Sequence, residues 1–258
     1  MRSDTNFDGI AVSFEAEIYG STKGYIRERV LWEDLSDGIS RTMHGGLYIL
    51  DAGGGAGRMS LRMARLGNRV VLCDPSREML DRAGKSIREA NLLGSITTVH
   101  SPIQDLKNSV DGEFDVVACH AVLEWLADPK AALGHLAGLL KPDGCLSLMF
   151  YNRNAALLKR IFGEFVGVLR ERGEGYSPRG WGDGATPLAE ENVREWLDEY
   201  GLAVGSKVGI RIFHDHLPED ARDQERLAGL LELEKDLRRQ EPFASLGQHI
   251  HLICERSR

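Results

Sequence analysis

The chain has 258 residues, 42% of them hydrophobic and 28% charged, with 39 acidic side chains against 32 basic ones and a formal net charge of −7. This composition excludes wholesale disorder and a small disulfide-stapled module, and leaves a globular protein of one domain or of a domain with a cap. No apolar run approaches the ~20 residues of a membrane helix, and acidic and amide side chains interrupt the first twenty residues where a signal peptide needs an apolar core, so a cytoplasmic protein with no membrane partner is expected.

Residues 46–150 alternate short apolar runs with segments of helical periodicity, the pattern of a parallel α/β sheet. The runs 47–51 and 69–73 read as the first two strands, with a helix at 59–66 between them. A helix over 77–91 follows, begun by Ser76 as N-cap with Glu78 in its first turn. Strands are predicted at 96–100, 114–119 and 145–150. A helix over 130–140 is expected to stop at the turn Lys141-Pro142-Asp143-Gly144. Beyond Tyr151 the pattern predicts a helix over 153–172 and a long Gly- and Pro-rich loop over 173–188. It then gives a helix at 190–200, a strand at 204–213, a helix at 220–239 and a last strand at 249–254. The expected fold is a Rossmann-like, doubly wound, mostly parallel seven-stranded sheet in a single domain. Residues 1–45 would form an N-terminal helical cap and 153–188 an insertion after strand five. Cys73, Cys119, Cys145 and Cys254 have no paired spacing and read as reduced, buried residues, so no metal is expected. Oligomeric state leaves no signal.

Strand one runs into Asp51-Ala52-Gly53-Gly54-Gly55-Ala56-Gly57, where a doubly wound sheet needs a tight turn whose backbone a ligand can approach without a Cβ in the way. A dinucleotide fingerprint would place a third glycine at position 58, and Arg58 stands there. Asp74 closes strand two, 21 residues beyond Gly53, where a carboxylate accepts hydrogen bonds from ribose hydroxyls. Its alternative role, a helix cap, is better filled by Ser76.

These features resemble the class I S-adenosylmethionine-dependent methyltransferases. Further stretches narrow the resemblance. They are Asn6-Phe7-Asp8, residues 18–24 (IYGSTKG), residues 120–125 (HAVLEW), residues 147–152 (SLMFYN), residues 208–215 (VGIRIFHD), Gln240-Glu241-Pro242 and residues 246–251 (LGQHIH). Together they are similar to the bacterial tRNA 5-carboxymethoxyuridine methyltransferases over nearly the whole chain. The resemblance implies that Gly53, Gly54 and Gly55 line the methionine moiety of S-adenosylmethionine and that Asp74 holds the ribose. Ile103 and Gln104 would flank the adenine, His120 would face the cofactor, and Arg27 would reach its carboxylate. Taken without the resemblance, Arg27 on a charged helix is equally a solvated residue and His120 a structural histidine.

The implied reaction esterifies the carboxylate of a modified wobble uridine and leaves S-adenosylhomocysteine. A carboxylate is ionised at neutral pH, so no catalytic acid or base is called for and positioning dominates. Tyr19, Lys23, Tyr151, Asn152, Arg211 and His214 are the residues expected to orient it, Arg211 also reading as a solvent-facing strand residue. The tRNA anticodon stem-loop is the expected partner, although net negative charge opposes phosphate contacts. Locally, residues 153–182 carry Arg153, Lys159, Arg160, Arg170, Arg172 and Arg179 against Glu164, Glu171 and Glu174, interleaved with Tyr176 and Trp181 that suit stacking on unpaired bases. The same segment also reads as an ordinary solvated helix and loop. A methyltransferase of a small carboxylic acid and a non-catalytic cofactor-binding protein share these features; a dehydrogenase using NAD fits least, because of Arg58.

Overall fold

A computed structural model describes residues 3–11, 20–39, 45–170, 184–217 and 224–257, with the side chains of 163–170 and 224 left outside that description. Seven strands form one sheet: β1 (Tyr48–Ala52), β2 (Arg69–Asp74), β3 (Ile96–His100), β4 (Phe114–His120), β5 (Leu140–Tyr151), β6 (Leu202–Ile210) and β7 (His249–Arg256). Their order is β3-β2-β1-β4-β5-β7-β6. The ladders from β3 through β5 are parallel, and β7 is antiparallel to β5 and β6. The expected doubly wound sheet is therefore present, with β7 inserted between β5 and β6. Chain order reverses between β1 and β4, and this is where such sheets open a crevice at the carboxyl ends of their strands.

Strand residues alternate between two buried faces. Leu50, Val117 and Leu148 pack against Leu133 and Leu136 of α5 (Pro129–Ala137) and Val193 and Leu197 of α7 (Glu190–Glu199). On the opposite face Ile49, Val70 and Val116 meet Leu35 of α1 (Thr22–Gly38), Met63 of α2 (Arg58–Arg65) and Leu80, Ala83 and Ile87 of α3 (Arg77–Glu89). Ile26, Val30 and Leu31 of α1 continue that layer over Val208 and Ile210, with Leu227 and Leu230 of α8 (Gln224–Leu237). α1 is thus an integral part of one face. Between the strands α4 (Leu106–Ser109) follows β3, α6 (Arg153–Arg170) follows β5, and α9 (Phe243–Leu246) precedes β7.

Two boundaries differ from expectation for local reasons. Lys141-Pro142-Asp143-Gly144 does not precede β5 but forms an excursion inside it, where the partners step from Phe114↔Leu140 to Val116↔Cys145. A Cβ on Gly144 would stand 2.8 Å from the Phe114 carbonyl oxygen, so the excursion closes only with glycine there. β6 ends at Ile210 because Arg211 has φ +60°, which breaks the strand. Most of the loop predicted at 173–188 lies outside the described residues; at its end Leu188 bridges to Asn152. The four cysteines are free and buried, and no helix among the described residues is long and apolar enough to cross a membrane.

Candidate functional site

At the crevice between β1 and β4 lies a cleft of about 1060 Å³, counted to its open mouth. The turn after β1 forms its floor. Gly53 and Gly54 donate their N–H groups to the Cys73 carbonyl at 2.8 and 3.0 Å, and Gly55 donates to Asp74 Oδ2 at 2.9 Å. Gly53, Gly55 and Gly57 all have positive φ. A Cβ on Gly53 would lie 2.5 Å from Val122 Cγ2, and one on Gly54 would lie 2.8 Å from the Asp51 carboxyl. Beneath the turn Asp51 accepts the Ser60 hydroxyl at 2.6 Å, and burial pushes its pKa up to about 6. Burial also raises the Asp74 carboxyl, while the Ser76 and Gly55 N–H groups work against the rise.

The walls come from both ends of the chain's first half. Arg27 and Leu31 of α1 face the cleft with His120 and Val122 from the end of β4, and with Met59, Met79 and Met149. A roof is supplied by residues 3–11, the first part of the segment expected to form an N-terminal cap. Thr5 donates to the Trp125 carbonyl at 3.0 Å, Phe7 meets the Trp125 ring edge-on at 5.0 Å, and Asp8 accepts from the Ser76 hydroxyl at 2.6 Å and the Glu78 N–H at 3.2 Å. Those two donors at the start of α3 hold the Asp8 carboxyl below its usual range. Asp4 ties down the other end, accepting from the Ala127 N–H and from Gln104 Nε2.

Of the residues expected to bind cofactor, Arg27, Gly53, Gly54, Gly55, Asp74 and His120 all line this one cleft. Ile103 and Gln104 do not. Ile103 is buried in the core, and Gln104 donates from Nε2 to Asp4, whose segment stands beside Trp125, while its Oε1 is buried without a hydrogen-bond partner. The residues expected at the acceptor carboxylate separate further. Tyr19 lies outside the described residues. Asn152 is excluded by its own hydrogen bonds: Nδ2 donates to the Ser245 and Gly247 carbonyls and Oδ1 accepts from Asn154. That use anchors β5 to the segment before β7, spends both amide N–H groups and leaves the side chain fully buried. Lys23 sits half-buried in the first turn of α1, outside the cleft lining.

Arg211 and His214 are not strand residues, as expected, but belong to the turn that follows β6. The left-handed conformation of Arg211 folds its side chain onto Asp215, with Nε 2.5 Å from Oδ2, while the Arg211, Ile212 and Phe213 N–H groups converge on the Glu234 carboxylate. His214 Nε2 lies 2.8 Å from Thr22 Oγ1 at the start of α1. Tyr151 is bound to Gln248, and burial raises its pKa against the pull of Gln248 and the Arg211 charge. Glu124, in the 3-10 turn Leu123–Trp125 after β4, interacts with Tyr151 of this group and with Arg27 of the cleft. Burial pushes its carboxyl up to about 7, opposed by its own N–H, the Arg27 charge and the Tyr151 N–H. Burial drives the pKa of His249 down, and the charges of Arg211 and Arg27 add to it. Glu124, Gln248 and His249 escaped the sequence reading as site residues; the period-two spacing of His249 and His251 was the one available signal. Among the described residues no group of His, Cys, Asp or Glu could hold a metal ion.

The cleft is suited to a zwitterionic nucleoside-like ligand. It offers a backbone cradle that a Cβ would fill, a buried carboxylate bound to that cradle, a guanidinium and a histidine whose Nδ1 is buried without a hydrogen-bond partner. Known proteins agree with this architecture. Residues 50–148 match the family described as "Methyltransferase domain". A magnesium protoporphyrin IX methyltransferase from Synechocystis, solved with bound S-adenosylhomocysteine, superposes with a TM-score of 0.63 at 19% identity over 97% of this chain and 96% of its own, a likeness of fold. A ubiquinone biosynthesis O-methyltransferase of Caulobacter vibrioides is 34% identical over 72% of this chain and 71% of its own. The tRNA 5-carboxymethoxyuridine methyltransferase of Escherichia coli K12 is 38% identical over 98% of this chain and 97% of its own. By that full-length similarity the chain belongs to the tRNA 5-carboxymethoxyuridine methyltransferase family of S-adenosylmethionine-dependent enzymes.

Proposed function

We propose that this protein transfers a methyl group from S-adenosylmethionine to the carboxylate of 5-carboxymethoxyuridine at the tRNA wobble position, forming the methyl ester. The observation that carries the proposal is the adjacency of two sites. The cleft of Arg27, Asp74 and the glycine turn adjoins, through Glu124, the polar group of Tyr151 and Arg211. When bound, the cofactor supplies an electrophilic methyl on a sulfonium. Asp74 is placed to accept the ribose hydroxyls, Gly53, Gly54 and Gly55 admit the chain close to the backbone, and Arg27 pairs with the carboxylate end. Thr5, Phe7 and Trp125 exclude water from above.

The acceptor arrives ionised, so the protein orients it and removes no proton. Tyr151 offers a hydroxyl at the carboxyl end of β5. Arg211, held by Asp215, supplies positive potential without a fully free guanidinium that would trap the anion. The basic run begins at Arg153, which pairs with Glu191; Lys159 and Arg160 are exposed on α6, and the remainder, Arg170 to Arg179 with Tyr176 and Trp181, lies outside the described side chains. This run is the proposed contact to the anticodon stem-loop.

The test is labelled methyl transfer from S-adenosylmethionine into tRNA from cells lacking the protein, read by nucleoside mass spectrometry. Appearance of the methyl ester only with enzyme is the expected result. Cofactor binding with labelling of free small acids instead of tRNA would move the acceptor to a small carboxylic acid, and binding with no labelled acceptor would leave a non-catalytic binding protein.

A further inference from the structure

A file of four polar side chains runs from the cofactor cleft across one face of the sheet to α1. His120 ends β4, Ser147 lies on β5, His251 on β7 and Asp34 on α1. Met149 pairs with His120 on one side and His251 on the other, and Ser147 stands two residues before it. All three strand side chains therefore share the face that α1 covers. His120 Nε2 is 2.8 Å from Ser147 Oγ, that oxygen is 2.7 Å from His251 Nε2, and His251 Nδ1 is 2.5 Å from Asp34 Oδ2. Asp34 Oδ1 meets Arg239, just past α8, at 2.6 Å. Ser147, His251 and Asp34 are fully buried. A hydrophobic file of the same shape would cost the core less than these ionisable groups, so their placement calls for a reason beyond packing.

Counting protons supplies one. Burial pushes the Asp34 carboxyl up, but the His251 hydrogen bond and the charges of Arg239 and Arg238 outweigh it and hold it below the usual range. Asp34 is thus an acceptor only, and His251 Nδ1–H donates to it. Where that Nδ1 carries the ring's one proton, Nε2 is bare and receives the Ser147 hydroxyl proton. The Ser147 oxygen, having donated, takes its second bond from His120 Nε2–H. Burial, with the Arg27 charge adding to it, keeps His120 neutral. Its Nδ1 then carries a lone pair, and it is this atom that has no partner. An imidazolium at His251 would reverse both inner protons and turn the same atom into a donor.

We propose that Asp34, His251 and Ser147 are positioning residues that lock His120 as the Nε2–H tautomer, so that its Nδ1 accepts a hydrogen bond from the cofactor's α-ammonium group. The proposal rests on the cofactor reading above. Arg27 lies seven residues, two helical turns, before Asp34 on α1, so the Asp34–His251 contact also fixes where the guanidinium stands beside that ammonium. The group that holds the ligand's carboxylate and the group that holds its amine are thereby set by one helix.

Nitrogen NMR of the full chain labelled in histidine, with His120 assigned through His120→Gln, reads the tautomer directly. An Nε2–H signature is expected for His120 before and after S-adenosylhomocysteine is added, and again in Ser147→Thr, which keeps the hydroxyl. Calorimetry should show Ser147→Ala binding S-adenosylhomocysteine about tenfold more weakly, the size of one hydrogen bond to a charged group. The same variant should bind the desamino analogue as the wild type does. An Nδ1–H signature with ligand bound, or equal losses for both ligands, overturns the proposal alone. Failure of the wild type to bind S-adenosylhomocysteine overturns the cofactor reading and, with it, the ligand named here.

Discussion

The carboxylate of Asp74 and the backbone N–H of Gly55 are joined by a hydrogen bond of 2.9 Å across the turn that links β1 to the first layer of helices. The acid at the end of β2 is therefore held by the same loop that cradles the ligand, and its other oxygen accepts from Ser76 N–H at 2.8 Å. Asp74→Asn keeps one acceptor and the shape but loses the charge. It is expected to weaken S-adenosylmethionine binding by about tenfold to a hundredfold, the loss of one or two charge-assisted hydrogen bonds. Calorimetry checks the affinity, and a thermal unfolding midpoint within a few degrees of wild type checks that the turn survives.

Gly53→Ala places a methyl 2.5 Å from Val122 at a backbone φ of +72°. Two costs combine, a side-chain clash and a left-handed conformation worth about 1–2 kcal/mol. Adding Val122→Ala should recover part of the stability and leave the backbone cost. If urea unfolding of the double variant shows no recovery, the clash is not what glycine avoids there.

Arg211→Ala leaves Asp215, 5% exposed, without the guanidinium that holds its carboxyl below the usual range against burial. The expected cost is about 3–5 kcal/mol, as for other buried pairs broken on one side. Arg211→Met with Asp215→Leu should restore much of the stability while methyl transfer to tRNA stays low and cofactor affinity stays near wild type. Transfer at the wild-type rate in the double variant would remove Arg211 from the acceptor site.

Glu124 gives stability a pH dependence of defined sign. Burial first, against its own N–H, the Arg27 charge and the Tyr151 N–H, places its folded pKa at about 7, above the ordinary 4.5. Folding therefore takes up a proton between those values, and the Glu124 contribution falls as pH rises from about 4.5 to about 7, then levels off. Glu124→Gln should flatten that part of the profile, so the wild type loses stability relative to the variant between pH 5 and pH 8. Urea titrations of both proteins at the two pH values measure the difference.

The sequence by itself determined the sheet, the glycine turn, the acid at the end of β2 and the family. Each depends on residues close together in the chain. Period-two apolar runs specify strands, a glycine cluster after a strand specifies a tight turn, and the position of Asp74 follows from the length of one βα unit. Tertiary structure alone decided what a side chain meets across the fold. Asn152 reads as an acceptor ligand at the end of a strand, yet the carbonyls of Ser245 and Gly247, about a hundred residues away, consume its amide. Arg211 reads as part of an alternating strand, yet Glu234 gathers the N–H groups that follow β6 and turns the backbone out of the sheet. The strap of residues 3–11 reaches the cleft only because Asp4 and Asp8 find donors far along the chain, at Ala127 and Ser76. Hydrogen-bond partners 27 to 217 residues apart leave no periodicity behind, and so the file from Asp34 to His120 exists only once β4, β5 and β7 lie side by side under α1.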